Sequence, residues 1–120
     1  MEKTKKIKAL KENHLFQKVY KKGKSVASGT MVLYALKNYD RRNTLVGITV
    51  IKNRGNAVTR NRIRRKIKEA YRTLHPFVKE GFLIVIVARK ACDDAHFTVI
   101  QDELYALLKK AALLREEGLK

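Results

Sequence analysis

The run Phe82–Ala88 (FLIVIVA) constrains the fold more than any other stretch of the chain, because none of its residues is polar. A strand that alternates apolar and polar residues leaves one face of its sheet to solvent. A strand that is apolar at every position needs cover on both faces. The sequence therefore predicts a central, fully covered strand at 82–88, around which the other elements are arranged.

Helical spacing of apolar residues predicts a helix on each side of the middle of the chain, at about 11–22 and at about 94–116. Gly23 is placed to stop the first helix, since glycine is the usual residue just past a helix end. Asp93 or Asp94 is placed to cap the last helix, because a carboxylate accepts from the free N–H groups of a first turn.

Stretches rich in β-forming residues follow the first helix. The first lies around Val26, and two longer ones, Met31–Leu36 and Leu45–Ile51, flank a turn-like loop, which predicts a β-hairpin between them. The element order is then α-β-β-β-α-β-α. It describes an α+β sandwich in one domain over 1–120, with helices on a four-stranded, mainly antiparallel sheet and a flexible basic tail at 1–8.

The segment Lys52–Arg72 predicts a central helix of unusual charge, with nine basic residues against one acid, Glu69. Gly55 permits a turn that other residues resist, and Asn56 is a good N-cap. An apolar stripe at helical spacing indicates the buried side of this helix. The stripe consists of Ile63, Ile67, Ala70, Tyr71 and Leu74.

The charges of this helix surround the stripe instead of alternating in sign. Arg60, Arg64 and Lys68 flank one side of it, Arg62, Lys66 and Glu69 flank the other, and Asn61, Arg65 and Arg72 lie opposite. Like charges four residues apart cost about 0.2–0.5 kcal/mol each, and an ordinary solvated face mixes signs to avoid this. Because the arginine fork suits phosphate oxygens, the pattern favours a binding site for a polyanion.

The whole chain carries 28 Lys and Arg against 11 Asp and Glu, a formal net charge of +17. A charge this large indicates nucleic acid or an anionic membrane surface as the partner. No apolar run approaches the roughly 20 residues that span a bilayer, and the stripe of the basic helix is committed to the core. No membrane partner is therefore expected. The polar N-terminus and the single cysteine, Cys92, fit a cytoplasmic location.

Residues for catalysis are scarce. His14, His75 and His96 are scattered, and the basic helix offers only Glu69 as an acid. A protein nuclease needs convergent carboxylates to hold metal near the phosphate. The sequence therefore predicts neither a catalytic residue nor a metal site in the polypeptide.

A basic helix beside a sheet with exposed aromatic residues suits single-stranded nucleic acid, whose bases stack on aromatic rings. RNA is favoured over duplex DNA, since no helix-turn-helix or zinc-finger pattern is present, and no DNA partner is expected. Two alternatives stay open on these grounds. One is a general RNA-binding module such as a ribosomal protein, and the other is an autonomous nuclease that cleaves without RNA.

The run GNAVTRNRIRRKIKEAYR, with Arg60-Asn61-Arg62 at its core, resembles the signature of the bacterial ribonuclease P protein subunit. Shorter stretches agree in position, and the resemblance covers about 9–110. These stretches are FQKVY before Gly23, Ser25-Val26-Ala27, Val32-Leu33-Tyr34 and Val85-Ile86-Val87-Ala88-Arg89-Lys90.

The resemblance implies a protein cofactor of a ribozyme that removes the 5′ leader of precursor tRNA. The catalytic RNA subunit would hold Mg²⁺ and perform the chemistry, and the two partners would be that RNA and precursor tRNA. The implied contacts to the catalytic RNA are Arg60, Asn61, Arg62, Arg64, Arg65 and Lys68. The implied cleft for the single-stranded leader contains Phe16, Tyr20, Tyr34, Lys52 and Arg54.

The family also implies a left-handed crossover from the third strand through the basic helix to the fourth, against the general preference for right-handed ones. The chain departs from the family pattern before Gly55. The family commonly has Ser-Lys-Lys before the Gly-Asn pair, whereas this chain has Ile51-Lys52-Asn53 followed by Arg54. The second lysine is therefore absent, and Arg54 is the candidate to replace its charge. Whether Lys52 or Arg54 faces RNA is left open by the sequence.

Overall fold

The apolar run is the central strand of the sheet in the computed structural model of the chain, which describes residues 7–38, 43–51 and 55–115. Within these residues the chain forms five strands and three α-helices. In chain order they are β1 (Lys8–Ala9), α1 (Asn13–Lys22), β2 (Lys24–Ala27), β3 (Met31–Lys37), β4 (Leu45–Thr49), α2 (Ala57–Leu74), β5 (Phe82–Ala88) and α3 (Phe97–Lys110).

The strand order across the sheet is β1-β4-β5-β3-β2, so β5 lies in the middle as predicted. It pairs antiparallel with β3, where Leu33 lies opposite Ile86, and parallel with β4, where Val46 lies opposite Ile84. The predicted single α+β architecture is confirmed, with a β4–α2–β5 crossover between two neighbouring parallel strands. The left hand of this crossover stays a prediction.

Both faces of β5 are covered, as its entirely apolar sequence predicts. Leu83 and Val85 pack with Val19 of α1 on one face of the sheet. Ile84 and Ile86 belong to the larger core, which α2 and α3 complete on the opposite face. The molecule is therefore a sandwich in three layers: one helix, the sheet, and two helices.

The predicted hairpin between Met31–Leu36 and Leu45–Ile51 is wrong. Those strands, β3 and β4, both pair with β5, which lies between them. The hairpin that does form joins β2 to β3 through a tight turn, in which the Ser28 N–H donates to Met31 O over 2.8 Å. The apolar strand takes the middle position because it has buried side chains on both faces, whereas the buried side chains of β3 all lie on one face.

A fifth strand was not predicted. Lys8–Ala9 pairs parallel with β4, so the end of the segment 1–8 expected to be a flexible tail belongs to the sheet, and residues 1–6 lie outside the described residues. Among the described strands, two neighbouring pairs are parallel and two are antiparallel. The sheet is thus more mixed than expected, since the β4–α2–β5 connection is long enough for a parallel crossover.

The helix ends differ from expectation in three places, one of which is that α3 ends at Lys110 and not near residue 116. Gly23 does stop α1, but with extended backbone (φ −79°, ψ 162°) instead of the left-handed conformation usual for glycine there. The last helix begins only at Phe97, and neither Asp93 nor Asp94 caps it, because the chain first makes a short 3-10 helix at Lys90–Cys92. Cys92 is buried by that turn.

Candidate nucleic-acid interface

The start of α2 is built as its sequence predicts. Gly55 has a φ of +116°, a conformation that residues with a Cβ resist. The side-chain oxygen of Asn56 accepts from the Thr59 N–H over 2.9 Å. This cap satisfies one of the free N–H groups of the first turn and fixes where the helix begins.

The apolar stripe of α2 is buried against the larger core, which settles how the helix is rotated. Ile63, Ile67 and Ala70 are buried, and Leu74 packs at the edge of the core. Tyr71 is buried too, and its hydroxyl forms a hydrogen bond of 2.7 Å with Nδ1 of His75. Burial raises the pKa of Tyr71, so this hydroxyl stays neutral.

One flank of α2 faces the edge of the sheet at β4. Arg64 donates from Nε to Ile48 O over 3.4 Å, and from a terminal nitrogen to Asn61 Oδ1 over 2.8 Å. Arg60, one turn earlier, is half-buried, and its Nε has no hydrogen-bond partner in the part of the chain that the structure describes. Asn61 therefore orients Arg64, a role that its position in the motif alone does not reveal.

The other flank of α2 is attached to the loop before α3. The ammonium group of Lys66 donates to three main-chain carbonyls, at 2.9 Å from Ala95 O, 3.3 Å from Asp93 O and 3.4 Å from Cys92 O. Lys66 is thus engaged in holding the fold together. The sequence prediction did not place it among the RNA contacts, and the structure gives a reason why it belongs elsewhere.

The outer face of α2 carries cations with little internal neutralisation. Asn61, Arg62, Arg65 and Lys68 are exposed. Glu69 pairs with Arg72 over 3.1 Å, an exposed pair of a kind worth about 0–1 kcal/mol. Across residues 7–38, 43–51 and 55–115, no ion pair or hydrogen bond engages the side chains of Arg62, Arg65 or Lys68, so their charges are available to an external anion.

The three aromatic residues predicted for the cleft form one cluster between α1 and β3. The ring centroids of Phe16 and Tyr20 are 6.4 Å apart, and those of Tyr20 and Tyr34 are 5.0 Å apart in an edge-to-face arrangement. Tyr20 is 36% exposed, and its hydroxyl lies 3.4 Å from Thr49 Oγ1 at the end of β4. The three rings therefore lie together in the structure, and their binding of a leader stays a prediction.

Beyond this cluster, the same face of the sheet is only partly covered. Val87 of β5 lies on the same face as Tyr34 and is only partly buried. Arg89 extends the β3–β5 pairing, since its N–H donates to Thr30 O over 2.8 Å, and its guanidinium donates to Ser28 O over 3.0 Å. Arg89 is exposed and was not among the predicted site residues. Its position directly after β5, two residues from Val87, is the signal that could have pointed to it.

The other two predicted cleft residues, Lys52 and Arg54, lie outside the described residues. The structure nevertheless joins the two predicted sites at the edge of β4. Phe16 from the aromatic cluster and Arg64 and Lys68 from the basic helix line one cavity of about 210 Å³. The sequence treated these residues as parts of separate surfaces, because they are about fifty positions apart.

In the described ranges, no three His, Cys, Asp or Glu side chains come together in a group that could hold a metal ion. None of the described helices is both long enough and apolar enough to cross a bilayer.

Fold and surface together define a small basic α+β protein with a cationic helix and an aromatic-lined face. Comparison with known proteins supplies the family. The model of the family described as Ribonuclease P matches residues 4–112. The chain therefore belongs to the ribonuclease P protein family, whose members are the protein subunit of an endoribonuclease of tRNA 5′ maturation.

Individual relatives agree over nearly the whole chain. The ribonuclease P protein component of Symbiobacterium thermophilum is 40% identical over 114 residues, covering 95% of this chain and 99% of that protein. The component of Clostridioides difficile is 47% identical over 107 residues, covering 86% and 90%.

Solved structures show the same fold. The RNase P protein of Staphylococcus aureus superposes with a TM-score of 0.81 at 35% identity, covering 92% of this chain and 100% of that one. The protein of Thermotoga maritima gives a TM-score of 0.76 at 28% identity, covering 86% and 96%.

Proposed function

We propose that this protein is the RNA-binding cofactor of the ribonuclease P ribozyme. The outer face of α2 binds the catalytic RNA, and the face with the aromatic cluster binds the single-stranded 5′ leader of precursor tRNA. The observation that carries the proposal is the meeting of Phe16, Arg64 and Lys68 at one edge of β4. One protein of this size can then touch two RNA strands that lie side by side.

The basic helix supplies the electrostatic part of this function. Arg62, Arg65 and Lys68 are exposed and have no partner among the described residues, so each can replace a condensed counterion at an RNA phosphate. A substrate leader is repelled by a polyanionic ribozyme. A protein of net charge +17 between the two reduces that repulsion and lets the leader approach.

The aromatic cluster supplies the contact with unpaired bases. Tyr20 offers a partly exposed ring, and Tyr34 and Phe16 hold that ring by edge-to-face and tilted contacts. A base stacked on such a ring contributes about 1–3 kcal/mol without requiring a particular sequence. We expect Arg89, which is exposed directly after β5, to contact a leader phosphate.

The chemistry is assigned to the RNA subunit with Mg²⁺. The donor set of the described residues does not fit a protein-held metal site, because their acids and histidines do not converge. The protein acts by positioning the substrate near the RNA active site, and this affects metal requirement only indirectly. A cytoplasmic location goes with this role and stays a prediction.

The test is cleavage of precursor tRNA at low magnesium by the protein alone, a bacterial ribonuclease P RNA alone, and both together. The proposal expects efficient cleavage at the mature 5′ end only in the combined reaction. Cleavage by the protein alone would establish an autonomous nuclease. RNA binding without stimulation of the ribozyme would establish a general RNA-binding module instead.

A further inference from the structure

Strand β2 forms an open edge of the sheet. The strand order β1-β4-β5-β3-β2 places β3 on one side of it, and within residues 7–38, 43–51 and 55–115 no strand pairs with its other side. An unpaired edge presents a row of main-chain N–H and C=O groups, which is a template for one more strand. The edge of β2 can therefore accept an extended peptide.

The register of the β2–β3 hairpin identifies the groups that face outward. Ser28 donates its N–H to Met31 O over 2.8 Å, so these two residues form a hydrogen-bonded pair. Hydrogen-bonded and non-hydrogen-bonded pairs alternate along an antiparallel ladder. Val26 therefore bonds to β3, whereas Ser25 and Ala27, both exposed, direct their main-chain groups to the free edge. Each of these two residues can donate one hydrogen bond to an added strand and accept another.

A groove runs beside this edge, between β2 and α3. It has a volume of about 570 Å³, and its lining includes Ala27 at the end of β2 and Ala106 and Leu107 of α3. Ala106 is exposed and Leu107 is buried, so the base of the groove is apolar. The volume lies within the roughly 300–1,000 Å³ typical of ligand sites. The apolar side chains of an added strand therefore have a surface to cover.

The charges around the groove select an acidic strand. Lys109 and Lys110 line it, and Lys24 is the first residue of β2. All three are exposed, and no carboxylate in the described part of the chain pairs with them. Glu103 also lines the groove, but its carboxylate already accepts from the N–H and the hydroxyl of Thr30. The groove therefore offers unpaired positive charge to acidic side chains.

The same features argue against two other occupants. A second copy of this chain also carries a net charge of +17, and lysine on an edge strand is a common means of preventing self-pairing. RNA has phosphates for the lysines, but it offers no row of donors and acceptors at the spacing of a strand. An acidic peptide matches both the open edge and the charge.

The groove is separate from the surfaces proposed for RNA. Helix α3 packs on the face of the sheet opposite α1 and the aromatic cluster. The flank of α2 lies at β4, and β2 is three strands away from β4, roughly 14 Å at about 4.8 Å per strand. A protein segment can therefore bind at β2 while RNA stays in place.

We propose that the edge of β2 and the groove beside α3 bind an extended acidic segment of a partner protein. The segment adds to β2 as a further strand. Its apolar side chains cover Ala106, and its carboxylates pair with Lys109 and Lys110. The inference does not rest on the proposed function, because it uses another edge of the sheet.

The probe for this site is the peptide Glu-Val-Glu-Val-Glu-Val, amidated at its C-terminus and carrying an N-terminal dansyl group. Amide chemical shifts of the full chain map where it binds, and fluorescence anisotropy gives its affinity. Shift changes are expected at Ser25, Ala27 and Ala106, and not along α2. The same peptide N-methylated at every residue keeps its charges but donates no main-chain hydrogen bond. It is expected to bind at least about tenfold more weakly.

Ala106→Glu tests the groove by adding bulk and negative charge at its base. It is expected to weaken binding of the probe by at least about tenfold, because like charges then face each other across the interface. Thr98→Glu is the matched control, since Thr98 is an exposed residue of the same helix and does not line the groove. Thermal unfolding of both variants checks that the fold is kept.

A pair of double variants separates a local effect of charge from a general one. Lys109→Gln with Lys110→Gln is expected to weaken binding of the probe more than Lys21→Gln with Lys22→Gln, which removes the same charge from exposed positions on α1. Equal losses would show that the probe responds only to the total charge of the protein, and they would overturn the proposal.

Competition with RNA gives the deciding measurement. Affinity for the probe is expected to be unchanged when the protein is saturated with a bacterial ribonuclease P RNA. Displacement of the probe by that RNA, or no binding of the probe at millimolar concentration, would overturn the proposal. A lower RNA affinity in Ala106→Glu than in Thr98→Glu would assign the groove to RNA instead. A wild-type dimer in sedimentation that Ala106→Glu abolishes would assign it to a second copy.

These failures differ from a failure of the proposed function. Each of them leaves stimulation of the ribozyme by the wild-type protein unaffected. Conversely, a protein that binds the probe at β2 but does not stimulate the ribozyme would contradict the proposed function alone.

Discussion

Tyr20 and Tyr105 are equally exposed, at 36% each, but only Tyr20 lies among other aromatic rings. Tyr20→Ala is therefore expected to cost about 1–3 kcal/mol of binding free energy for precursor tRNA with a long leader, because one stacking surface is lost. Affinity for a leaderless tRNA should not change. Leader-length titrations of the holoenzyme measure this.

Tyr105→Ala on α3 is the control for this prediction, since it removes the same group from an equally exposed position. It is expected to bind every leader like the wild type. If both tyrosine variants lose affinity equally, the loss reflects a general change in the protein, and the aromatic cluster does not bind the leader.

Gly23 marks a second residue whose role depends on its surroundings. A Cβ at this position would lie 2.6 Å from Val19 O and 2.8 Å from Ala35 O, both main-chain atoms that cannot rotate away. Gly23→Ala is expected to lower the free energy of unfolding by roughly 1–3 kcal/mol, because α1 must move from β3. Urea denaturation in phosphate buffer measures the change.

Gly29→Ala provides the matched comparison for Gly23→Ala. The nearest atom to a Cβ at Gly29 is the Glu103 Oε2, at 3.9 Å, and the backbone φ is not in the left-handed region. Its free energy of unfolding is expected to stay within about 0.5 kcal/mol of the wild type. Similar losses at both glycines would show that backbone freedom, and not close approach, decides the effect.

At the scale of elements, α2 divides its cations between two tasks. Lys66 binds the carbonyls before α3, whereas Arg62 and Arg65 face outward. Replacing both arginines with glutamine is expected to reduce the slope of log affinity for the catalytic RNA against log salt by about 0.7–0.9 per arginine, because fewer counterions are released. Filter binding over a salt series measures the slope.

The control for that slope is the pair Lys109→Gln and Lys110→Gln on α3, which removes the same net charge from exposed positions. A smaller change of slope is expected there. If the two double variants change it equally, RNA responds to total charge, and the outer face of α2 is not the contact surface.

The β2–β3 hairpin is held to α3 by one carboxylate. Glu103 accepts from the Thr30 N–H at 3.1 Å and from the Thr30 hydroxyl at 2.6 Å. Hydrogen bonds from the side chains of Ser28 and Thr30 lower the pKa of Glu103 below its ordinary value of 4.5. The ionised form is therefore favoured by folding.

A lowered pKa gives a stabilisation that is complete above the ordinary value of 4.5 and is lost as pH falls through the lower value of the folded protein. Glu103→Gln is expected to lose less stability than the wild type between about pH 5 and pH 3, as followed by urea denaturation at each pH. Asp102→Asn makes the same charge change without touching the hairpin. An unchanged acid dependence in Glu103→Gln would show that this carboxylate does not anchor the turn.

Elements differ in how far they could be predicted. The central position of β5 and the cap and stripe of α2 are local consequences of composition, and the structure confirms them. The position of β5 between β3 and β4 depends on how three strands pair with one another. No single segment of the sequence shows which pairing is preferred. The strand β1 has only two residues, too few for a periodic pattern.

The candidate site was predictable in its residue types and less so in its arrangement. Aromatic and basic residues are visible in the sequence, but the meeting of Phe16 with Arg64 depends on the crossover that brings α2 past β4. Likewise, the hydrogen bond by which Asn61 orients Arg64 is visible only in the structure, and the predicted contact of Asn61 with RNA stays a prediction. Such assignments need long-range geometry.

At the scale of the whole molecule, the net charge of +17 opposes folding through self-repulsion. Millimolar pyrophosphate is expected to raise the melting temperature, because anions bind the folded form, and a ligand at 100 times its Kd adds about 2.7 kcal/mol. Sodium chloride at equal ionic strength should have a smaller effect. Equal effects of the two salts would indicate general screening without specific anion sites.

The position of β5 also determines when the protein can assemble as it is synthesised. On the side of β5, Leu33 lies opposite Ile86 and Val46 lies opposite Ile84, and both of these partners are made only after the basic helix. Strands that are far apart in the sequence pair late, because the long loop between them must first close. Until β5 leaves the ribosome, the hairpin and β4 have no common sheet, and the cationic helix is made before the core that orients it. The last third of the chain is therefore what turns a basic polypeptide into a folded domain.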